Sequence, residues 1–450
     1  MSKHLFVTRL WASVLACACA LTCSAAAQER RLTLQEAVSM ALDQNHTVKA
    51  ASYSLAAERQ KQNIAKSRYF PSVSNESNVL HITDLQRVEV PAGVFGQIPG
   101  GALIPSSNTF LTQGTKTFES SGTMLAQPIT QLIKIRDAYK VAQADVGISE
   151  AALRKRSTDV VYQVHELYYR ILSTQLQREA ARLLITSGTE TLDENTQQVK
   201  NGSLLEVARV ESRAALLDAK QALLTADMEI NDLTNELDDE LGIPVGTKLV
   251  LDPNVDVAVD LPPREVSLQT AMNENPEVKA AMQVVAKARA AHSAAKAEYI
   301  PDVTAFARHS YQNGVPFVDH NFGTFGIHLT YDVFDAGRRK ALIRQRSDEL
   351  SAAEEILQQA RDHVEVRINS IYDRLEVTRA MVEVRREYVA ARQESARLAE
   401  DQFKQGIVLA SQRDDSKAQA MMARAGLLDA SLAYLLAHDD LTRTLGRTGP

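Results

Sequence analysis

Residues 45–71 read NHTVKAASYSLAAERQKQNIAKSRYFP, and residues 275–301 read NPEVKAAMQVVAKARAAHSAAKAEYIP. Both stretches begin with Asn, continue with Val-Lys-Ala-Ala after two residues, and end in Tyr, one variable residue and Pro. Every matching pair lies 230 positions apart along the chain. A repeat of this length in mostly helical sequence predicts two copies of one structural unit.

A second series of matches lies further along the chain, 204 positions apart. Its members are Tyr168 with Tyr372, Lys200 with Lys404, Gly202 with Gly406, and Leu241-Gly242 with Leu445-Gly446. The two offsets differ by 26, so the first copy contains that many extra residues between Pro71 and Gln127. That region is rich in Gly, Pro, Ser and Thr, as expected of a loop that tolerates insertion.

The composition is that of long, closely packed helices. Of the 450 residues, 45% are hydrophobic, only 5% are aromatic, and Ala, Leu, Glu, Gln and Arg are abundant. The net charge of −6 gives no reason to expect nucleic acid as a partner.

The first residues predict a signal peptide, residues 1–27. Lys3, His4 and Arg9 precede an apolar stretch, and three alanines at 25–27 form a small-residue cleavage site. All three cysteines of the chain lie in this segment, so the mature chain offers no disulfide and no Cys metal site. A lipid anchor on Cys17 or Cys23 is the alternative fate of this segment. We expect no apolar run long enough for a transmembrane helix after it, so a membrane span would have to be a β-barrel.

The first copy, residues 28–264, is expected to contain a helix from Leu32 to Arg68, ended by Pro71. Two strands follow at about residues 72–80 and 117–126, flanking a long loop. A helical hairpin is expected over residues 132–241, with apolar residues at coiled-coil spacing and a break at Asn201-Gly202. Residues 242–264 form a linker.

The second copy, residues 265–450, is expected to repeat this order. Its strands are placed at about residues 303–312 and 323–334, and its helical hairpin at 336–446. The second strand alternates, with one apolar face made of Phe325, Ile327, Leu329, Tyr331 and Val333. One apolar and one polar face is typical of a barrel strand between lipid and water, although a half-buried strand of a soluble protein alternates in the same way.

The junctions between these elements resemble those of the TolC family of outer-membrane efflux proteins, over essentially the whole mature chain. The similar residues in the first copy are Leu32-Thr33-Leu34-Gln35-Glu36-Ala37, Ala41-Leu42, Asn45 and Tyr69-Phe70-Pro71. Those in the second are Ser267-Leu268, Ala271, Asn275-Pro276-Glu277, Tyr299-Ile300-Pro301 and Val333-Phe334-Asp335-Ala336-Gly337-Arg338-Arg339. Each short motif alone is weak, but their order and duplication are specific.

The resemblance implies a mainly α fold with a β-barrel contribution, assembled as a homotrimer. Each subunit would give four strands to one shared 12-stranded barrel in outer-membrane lipid, above a helical tunnel in the periplasm. The protein would be the passive exit duct of a tripartite efflux pump or of a type I secretion system. Its partners would be a periplasmic membrane-fusion (adaptor) protein and an inner-membrane pump of the RND, ABC or MFS type.

The adaptor-docking tips would be the two Gly turns. They consist of Asn201, Gly202, Ser203 and Leu204 in the first copy, and of Gln405, Gly406, Ile407 and Val408 in the second. Gly permits the left-handed backbone that reverses a helix. The alternative is a plain helix C-cap between two packed helices.

The resemblance also implies acidic rings at the pore constriction, six and nine residues after the turn Gly406. Those positions are Gln412 and Asp415, so only Asp415 matches, with Asp414 as a neighbouring contributor. Val408 stands where the family has a tip-locking Arg, so the gating details of the family do not carry over. The alternative for both aspartates is a solvated helix face.

Other functional classes find less support. A soluble periplasmic coiled-coil scaffold or adaptor would explain the signal peptide and the helices, but not four strands placed symmetrically after two prolines. Enzyme chemistry is not expected, because the ten His are scattered and no metal-site spacing or phosphate-binding Gly loop occurs. We therefore expect no catalytic residue, metal or cofactor. The sequence does not indicate which cargo is exported.

Overall fold

The computed structural model describes residues 30–112, 114–253, 261–315 and 318–447. The expected signal peptide at 1–27, with Cys17 and Cys23, lies outside the described residues, as does the part of the linker at 254–260.

The element order is that of a duplicated, mainly helical unit. The first copy contains β1 (Arg30–Leu32), α1 (Leu34–Gln44), α2 (His46–Ser67), β2 (Ser72–His81), β3 (Arg87–Val90), β4 (Thr109–Thr112), β5 (Thr117–Pro128), α3 (Leu132–Lys200), α4 (Glu206–Leu241) and β6 (Leu249–Leu251). The second contains α5 (Arg264–Glu274), α6 (Pro276–Ala297), β7 (Asp302–Asn313), β8 (Asn321–Thr330), α7 (Arg338–Lys404) and α8 (Ala410–Thr444). The predicted fold class, helix, strand pair, very long helix and returning helix in duplicate, is confirmed.

The structure corrects several predicted boundaries. The helix expected from Leu32 to Arg68 is two helices, α1 and α2, separated at Asn45. The pairing of β1 with β6 and the short hairpin of β3 with β4 inside the long loop were not anticipated. The last strand ends at Thr330 rather than at residue 334, so Tyr331 and Val333 lie beyond it.

The strand β8 ends early because the residues that follow it contact and cap the N-terminus of α7. Arg339 donates from Nη1 to the carbonyl of Asp332 at 2.8 Å, and its guanidinium lies 4.8 Å from the ring centre of Tyr331. The carboxylate of Asp335 accepts hydrogen bonds from the backbone N–H groups of Gly337 and Arg339 and so caps α7. Alternation of apolar and polar residues continues through this connection, but its backbone has no strand partner.

The chain divides into two compact units. The sheet unit comprises Ser54–Glu150 and Lys279–Ala360, and the bundle unit comprises the described residues up to Tyr53, Ala151–Val278 and those from Arg361 onward. In the sheet unit, four strands form an antiparallel sheet in the order β2-β5-β7-β8. Strands from both copies therefore share one sheet, and β2 and β8 are its free edges.

In the bundle unit the long helices pack in the order α4-α3-α8-α7. Arg170 of α3 binds Glu229 of α4 at 3.2 Å. Ser187 of α3 donates to the carbonyl of Ser411 in α8 at 2.9 Å. Arg367 of α7 binds Asp440 of α8 at 2.8 Å. The two inner helices come from different copies, and α4 and α7 stand at the ends of the row.

Hydrogen bonds of the Asn45 side chain join two helix ends of the first copy. Its Oδ1 accepts from the backbone N–H groups of Thr47 and Val48 at 2.8 and 3.3 Å, which caps the start of α2. Its Nδ2 donates to the carbonyl of Glu240 at 3.0 Å, near the end of α4. One amide therefore satisfies backbone groups at two helix ends that are 195 residues apart.

The second copy repeats this arrangement at the expected offsets. Asn275 accepts from the N–H groups of Glu277 and Val278 at 2.8 and 3.1 Å and donates to the carbonyl of Thr444 at 2.8 Å. Thr444 lies 204 positions after Glu240, and Asn275 lies 230 positions after Asn45. The repeat seen in the sequence is thus a repeat of hydrogen bonds.

The paired glycines and tyrosines belong to the same arrangement. A Cβ on Gly446 would lie 2.6 Å from the carbonyl oxygen of Glu274, so no side chain fits there. Gly242 meets the carbonyl of Gln44 in the same way, at 2.7 Å. Tyr168 donates to the carbonyl of Leu32 at 3.0 Å, and its repeat partner Tyr372 donates to the carbonyl of Pro262 at 2.6 Å.

The apolar composition of α8 corrects the expectation that no segment after the signal peptide is long and apolar enough to cross a membrane. It contains an 18-residue window that is apolar enough to cross a membrane by composition, because Ala and Leu are dense there. However, 44% of that window is buried inside the chain, and Leu432 and Leu435 belong to the core cluster of the bundle unit. We therefore assign α8 as a core helix.

We predict that Asn275→Ala destabilises the bundle unit by about 1–3 kcal/mol, because it removes a helix cap and leaves a buried carbonyl without its donor. Thermal unfolding followed by the helical circular dichroism signal measures the change. The control is Asn63→Ala, at an exposed position whose amide binds only Gln60 one turn earlier. Equal stability of both variants would contradict the proposed importance of this amide.

Candidate functional site

The first Gly turn connects α3 to α4. Gly202 has a φ of +75°, and a Cβ there would meet no atom within 4 Å. Ser203 donates its N–H to the carbonyl of Gln198 at 2.9 Å, which closes the end of α3. Gly is therefore needed for its backbone conformation and not for space.

The second Gly turn has the same geometry. Gly406 has a φ of +72° with open space around it, and Ile407 donates its N–H to the carbonyl of Gln402 at 2.9 Å. Of the predicted tip residues, Leu204 and Val408 are partly buried, and the other six are exposed.

Exposed apolar side chains surround both turns. Leu205 is 79% exposed, Ile407 is 66% exposed, and Val207 and Leu409 are also exposed. Sequence reasoning selected Ile407 but missed Leu205, Val207 and Leu409. The signal was present, because Leu205 and Leu409 are themselves separated by the 204-residue offset.

The structure separates the three predicted constriction residues. Gln412 accepts from the N–H of Leu409 at 3.3 Å, and Asp415 accepts from Nε2 of Gln419 at 2.6 Å. Both line a groove of about 800 Å³ formed by α3, α4 and α8. Asp414 is not among the groove's lining residues.

Asp414 is only 6% exposed and lies in an ion pair inside the chain. Its two oxygens lie 2.6 and 2.9 Å from Nε and Nη2 of Arg413. The hydrogen bond from Arg413 lowers the pKa of Asp414 below its usual value, against the opposing effect of burial. Asp414 therefore has a structural role. Of the three predicted constriction residues, Asp415 and Gln412 are the two that face the groove.

The helix α4 has apolar stripes on two sides. One stripe is buried against α3 and consists of Ser212, Leu216, Ala219, Ala226, Leu233 and Leu237. The other, which we call the α4 seam, is exposed and follows alternating steps of three and four residues. It consists of Val207, Val210, Ala214, Leu217, Gln221, Leu224 and Met228.

The helix α7 has the same two-sided character. Its buried stripe consists of Val364, Ile368, Ile371, Leu375, Thr378, Val382 and Val389. Its exposed stripe, which we call the α7 seam, again has steps of three and four residues. It consists of Val377, Met381, Val384, Tyr388, Ala391, Ser395 and Leu398. A helix with this spacing on two sides packs against two helical neighbours. Within one chain, α4 has one such neighbour, α3, and α7 has one, α8.

The sheet unit shows an apolar region on the face of Phe325. In register, Val73, Leu125, Ala307 and Phe325 form one row across all four strands. Two further rows, nearer the end of β8, pair Ala305 with Ile327 and Val303 with Leu329. Phe325 is 90% exposed, and Ile327 and Leu329 are also exposed.

The same face is polar toward the other end of the sheet. Asn75 donates from Nδ2 to Thr123 Oγ1 at 2.9 Å and to Ser121 Oγ at 3.3 Å. The apolar surface is therefore limited to the half of the sheet near the end of β8, and Phe325, Ile327 and Leu329 are its members on that strand.

In the part of the chain that the structure describes, no group of three or more His, Cys, Asp or Glu side chains is arranged to hold a metal ion. In the sequence His438-Asp439-Asp440, both carboxylates pair with side chains of neighbouring helices. Asp439 lies 2.6 Å from Nδ1 of His165 in α3, and Asp440 pairs with Arg367.

The chain is similar to known outer-membrane proteins in sequence and in structure. The family model described as "Outer membrane efflux protein" matches residues 37–242 and 267–447, one segment in each copy. The outer membrane efflux protein BepC of Brucella suis is 23% identical over 401 residues, which cover 85% of this chain and 77% of BepC.

Two solved structures share the fold. A membrane protein from Pseudomonas aeruginosa superposes with a TM-score of 0.72 at 16% identity, covering 92% of this chain and 90% of its own. The CmeC outer membrane channel of Campylobacter jejuni has a TM-score of 0.72 at 14% identity, with coverages of 92% and 85%. This fold includes the sheet, which a soluble coiled-coil scaffold would not explain. Because the family model covers most of both copies, the chain belongs to the outer membrane efflux protein family.

Proposed function

We propose that three copies of this chain form one passive channel, the exit duct of a tripartite efflux pump or a type I secretion system. The observation that carries the proposal is the pair of exposed seams on the two end helices of the row α4-α3-α8-α7. A chain with a helical seam free at each end is completed by other copies of itself, and a head-to-tail contact of this kind forms a ring when the rotation between neighbouring copies closes.

The α4 seam and the α7 seam occupy similar positions along their helices, measured from the Gly turns. The α4 seam begins five residues after Gly202, and the α7 seam ends eight residues before Gly406. The difference of three residues is about 4.5 Å along a helix, so both seams start at a similar distance from the Gly turns. The two helices would run antiparallel when the α4 of one copy meets the α7 of the next.

Charge supports the same pairing. Residues 206–229 of α4 include five acidic and three basic residues, whereas residues 374–398 of α7 include six basic and four acidic residues. An acidic helix beside a basic helix is favourable at the edges of a coiled-coil seam, where charged pairs select the partner.

The sheet edges require the same assembly. Four strands with free edges at β2 and β8 cannot stay open in lipid, because unpaired backbone groups are costly there. Pairing β8 of each copy with β2 of the next gives one closed 12-stranded barrel. The apolar rows of Phe325, Ile327 and Leu329 would then face outer-membrane lipid.

The Gly turns would be the end that meets the partners. Their exposed apolar residues, Leu205, Val207, Ile407 and Leu409, form a surface of the kind that protein partners cover. We propose that a periplasmic adaptor docks there and couples the duct to an inner-membrane pump of the RND, ABC or MFS type. The duct itself would need no catalytic residue and no cofactor.

Asp415, together with Gln412, would face the pore near the tips. Three copies of Asp415 would place three carboxylates around one axis, which favours cations over anions. Asp414 would not contribute, since its charge is paired with Arg413.

The assembly is tested by Leu217→Glu. A carboxylate in the α4 seam would be buried without a partner in the trimer, so we expect mostly monomers after chemical crosslinking of outer membranes. The control is Lys220→Glu on the same helix, outside the seam, which should crosslink as a trimer. Trimers of normal abundance in Leu217→Glu would refute the seam contact.

The lipid face is tested by comparing Leu329→Arg with Thr330→Arg. The first should destabilise the protein in the membrane by about 2–4 kcal/mol near the bilayer midplane, and the second by much less. The midpoint of denaturant unfolding in lipid vesicles measures both. Equal destabilisation would show that the faces are assigned wrongly.

The tips are tested by Gly406→Val. A β-branched residue at a φ of +72° costs at least about 1–2 kcal/mol, so the turn should distort locally. We expect less efflux of a dye substrate from intact cells, with unchanged amounts of outer-membrane trimer. Full efflux in the double variant of Gly202 and Gly406 would indicate that the tips contact no partner.

The constriction is tested by Asp415→Ala in planar bilayers. We expect lower cation selectivity and weaker block by polyvalent cations added on the periplasmic side, because one ring of carboxylates is lost. The effect should be partial rather than total. Unchanged selectivity and block would return Asp415 to a solvated helix face.

A further inference from the structure

Two glycines of the four-stranded sheet are covered by side chains of the strand β7, which lies between their own strands. Within the described strands, Gly326 is the one residue of β8 that is not exposed, and Gly122 is the one buried residue of β5. Gly326 follows Phe325 directly, and Gly122 lies three residues before Leu125. Because successive residues of a strand point to opposite faces, both glycines belong to the face opposite the apolar rows. In the proposed barrel that face lines the lumen.

The covering side chains lie flat on the sheet. Side chains of a strand ordinarily stand roughly perpendicular to it. A Cβ on Gly326 would lie 3.3 Å from both Cε1 and Cζ of Phe306, so the far end of that ring rests on the backbone of β8. A Cβ on Gly122 would lie 2.6 Å from Nη2 of Arg308, so the guanidinium rests on β5. The two side chains are therefore turned toward opposite neighbours of β7.

Glycine supplies space at Gly122 and Gly326, and not a special backbone conformation. Neither glycine has a positive φ, in contrast to Gly202 and Gly406. A β-branched residue would suit the strand better, because Gly in a strand interior weakens it. What the sheet gains from glycine is room, since a side chain at position 326 would lift the ring of Phe306 away from the wall.

We propose that Gly326 and Gly122 set the width of the barrel lumen, because they let Phe306 and Arg308 lie against its wall. In the proposed trimer the same two contacts recur in every copy, so side chains lifted from the wall would narrow the lumen from three sides. Since pore diameter limits what passes through a channel, these glycines would fix the largest cargo that leaves through the barrel. This inference rests on the proposed channel function.

A ring that covers a glycine can also act only on stability. Aromatic side chains are known to compensate for glycine in a neighbouring strand. In that role Phe306 would stabilise the sheet, and the width of the lumen would not depend on the residue at position 326. A measurement of width therefore separates the two roles, whereas a measurement of stability does not.

The test finds which polyethylene glycols enter the channel from the exterior side in planar bilayers, because a polymer that enters lowers the single-channel conductance. Gly326→Val places a β-branched side chain beneath the ring of Phe306 and should shift the size limit to smaller polymers. Adding Phe306→Ala to Gly326→Val should restore the limit of the unchanged protein. Gly326 is tested rather than Gly122, because a side chain at Gly122 meets only the flexible end of Arg308.

The matched control is Gly323→Val, on the same strand and the opposite face. The nearest atom to a Cβ there is the carbonyl oxygen of Arg308 at 4.0 Å, so the size limit should not change. Phe306→Ala alone should also leave the limit unchanged, because the ring already lies against the wall. This variant decides the matter even if Gly326→Val does not assemble.

An unchanged size limit in Gly326→Val would overturn the proposal, and so would a clearly larger limit in Phe306→Ala. The failure of the channel function itself would look different, because the unchanged protein would then not conduct.

Discussion

The fold depends on one side-chain amide, used twice. Asn45 and Asn275 each cap the start of one helix and donate to one carbonyl near the end of another helix, which has returned from a Gly turn. Buried backbone groups at helix ends must find partners. The amide supplies both a donor and an acceptor at that point. It therefore fixes where the long hairpins end relative to the short helices, and with them the height of the Gly turns.

Much of this arrangement could be predicted, because its essential residues have special side chains. The repeated Asn, Gly and Tyr positions appear in the sequence at two constant offsets. Their acceptors do not, because the acceptor that the two copies share is a backbone carbonyl, at Glu240 and at Thr444. Only the first copy adds a side-chain acceptor, the carboxylate of Glu240. The break between α1 and α2 at Asn45 was not predicted, for a different reason. An Asn that caps a helix looks the same in sequence as an Asn within one.

The candidate site was predictable only in part. Spacing from Gly406 selected Gln412 and Asp415, and both line the groove. Asp414 was added only as their neighbour, and it is buried. Asp414 shares its side of α8 with buried Ser411 and Ala418, three residues before and four after it, which is the helical period. Its neighbour Arg413 lets a charged residue occupy that side. The exposed seams were also in the sequence, but a search for one apolar stripe per helix finds only the buried one.

The long-range hydrogen bonds of the two asparagines have a kinetic consequence. They close loops of 195 and 169 residues, whereas the hairpins of α3 with α4 and α7 with α8 need only local contacts. Local helices form in microseconds, and contacts between distant residues form later because loop closure costs entropy. A newly exported chain would therefore hold its helical hairpins before the asparagines join them. During that interval the exposed seams could meet the wrong neighbour, which makes the order of folding and assembly a constraint on this protein.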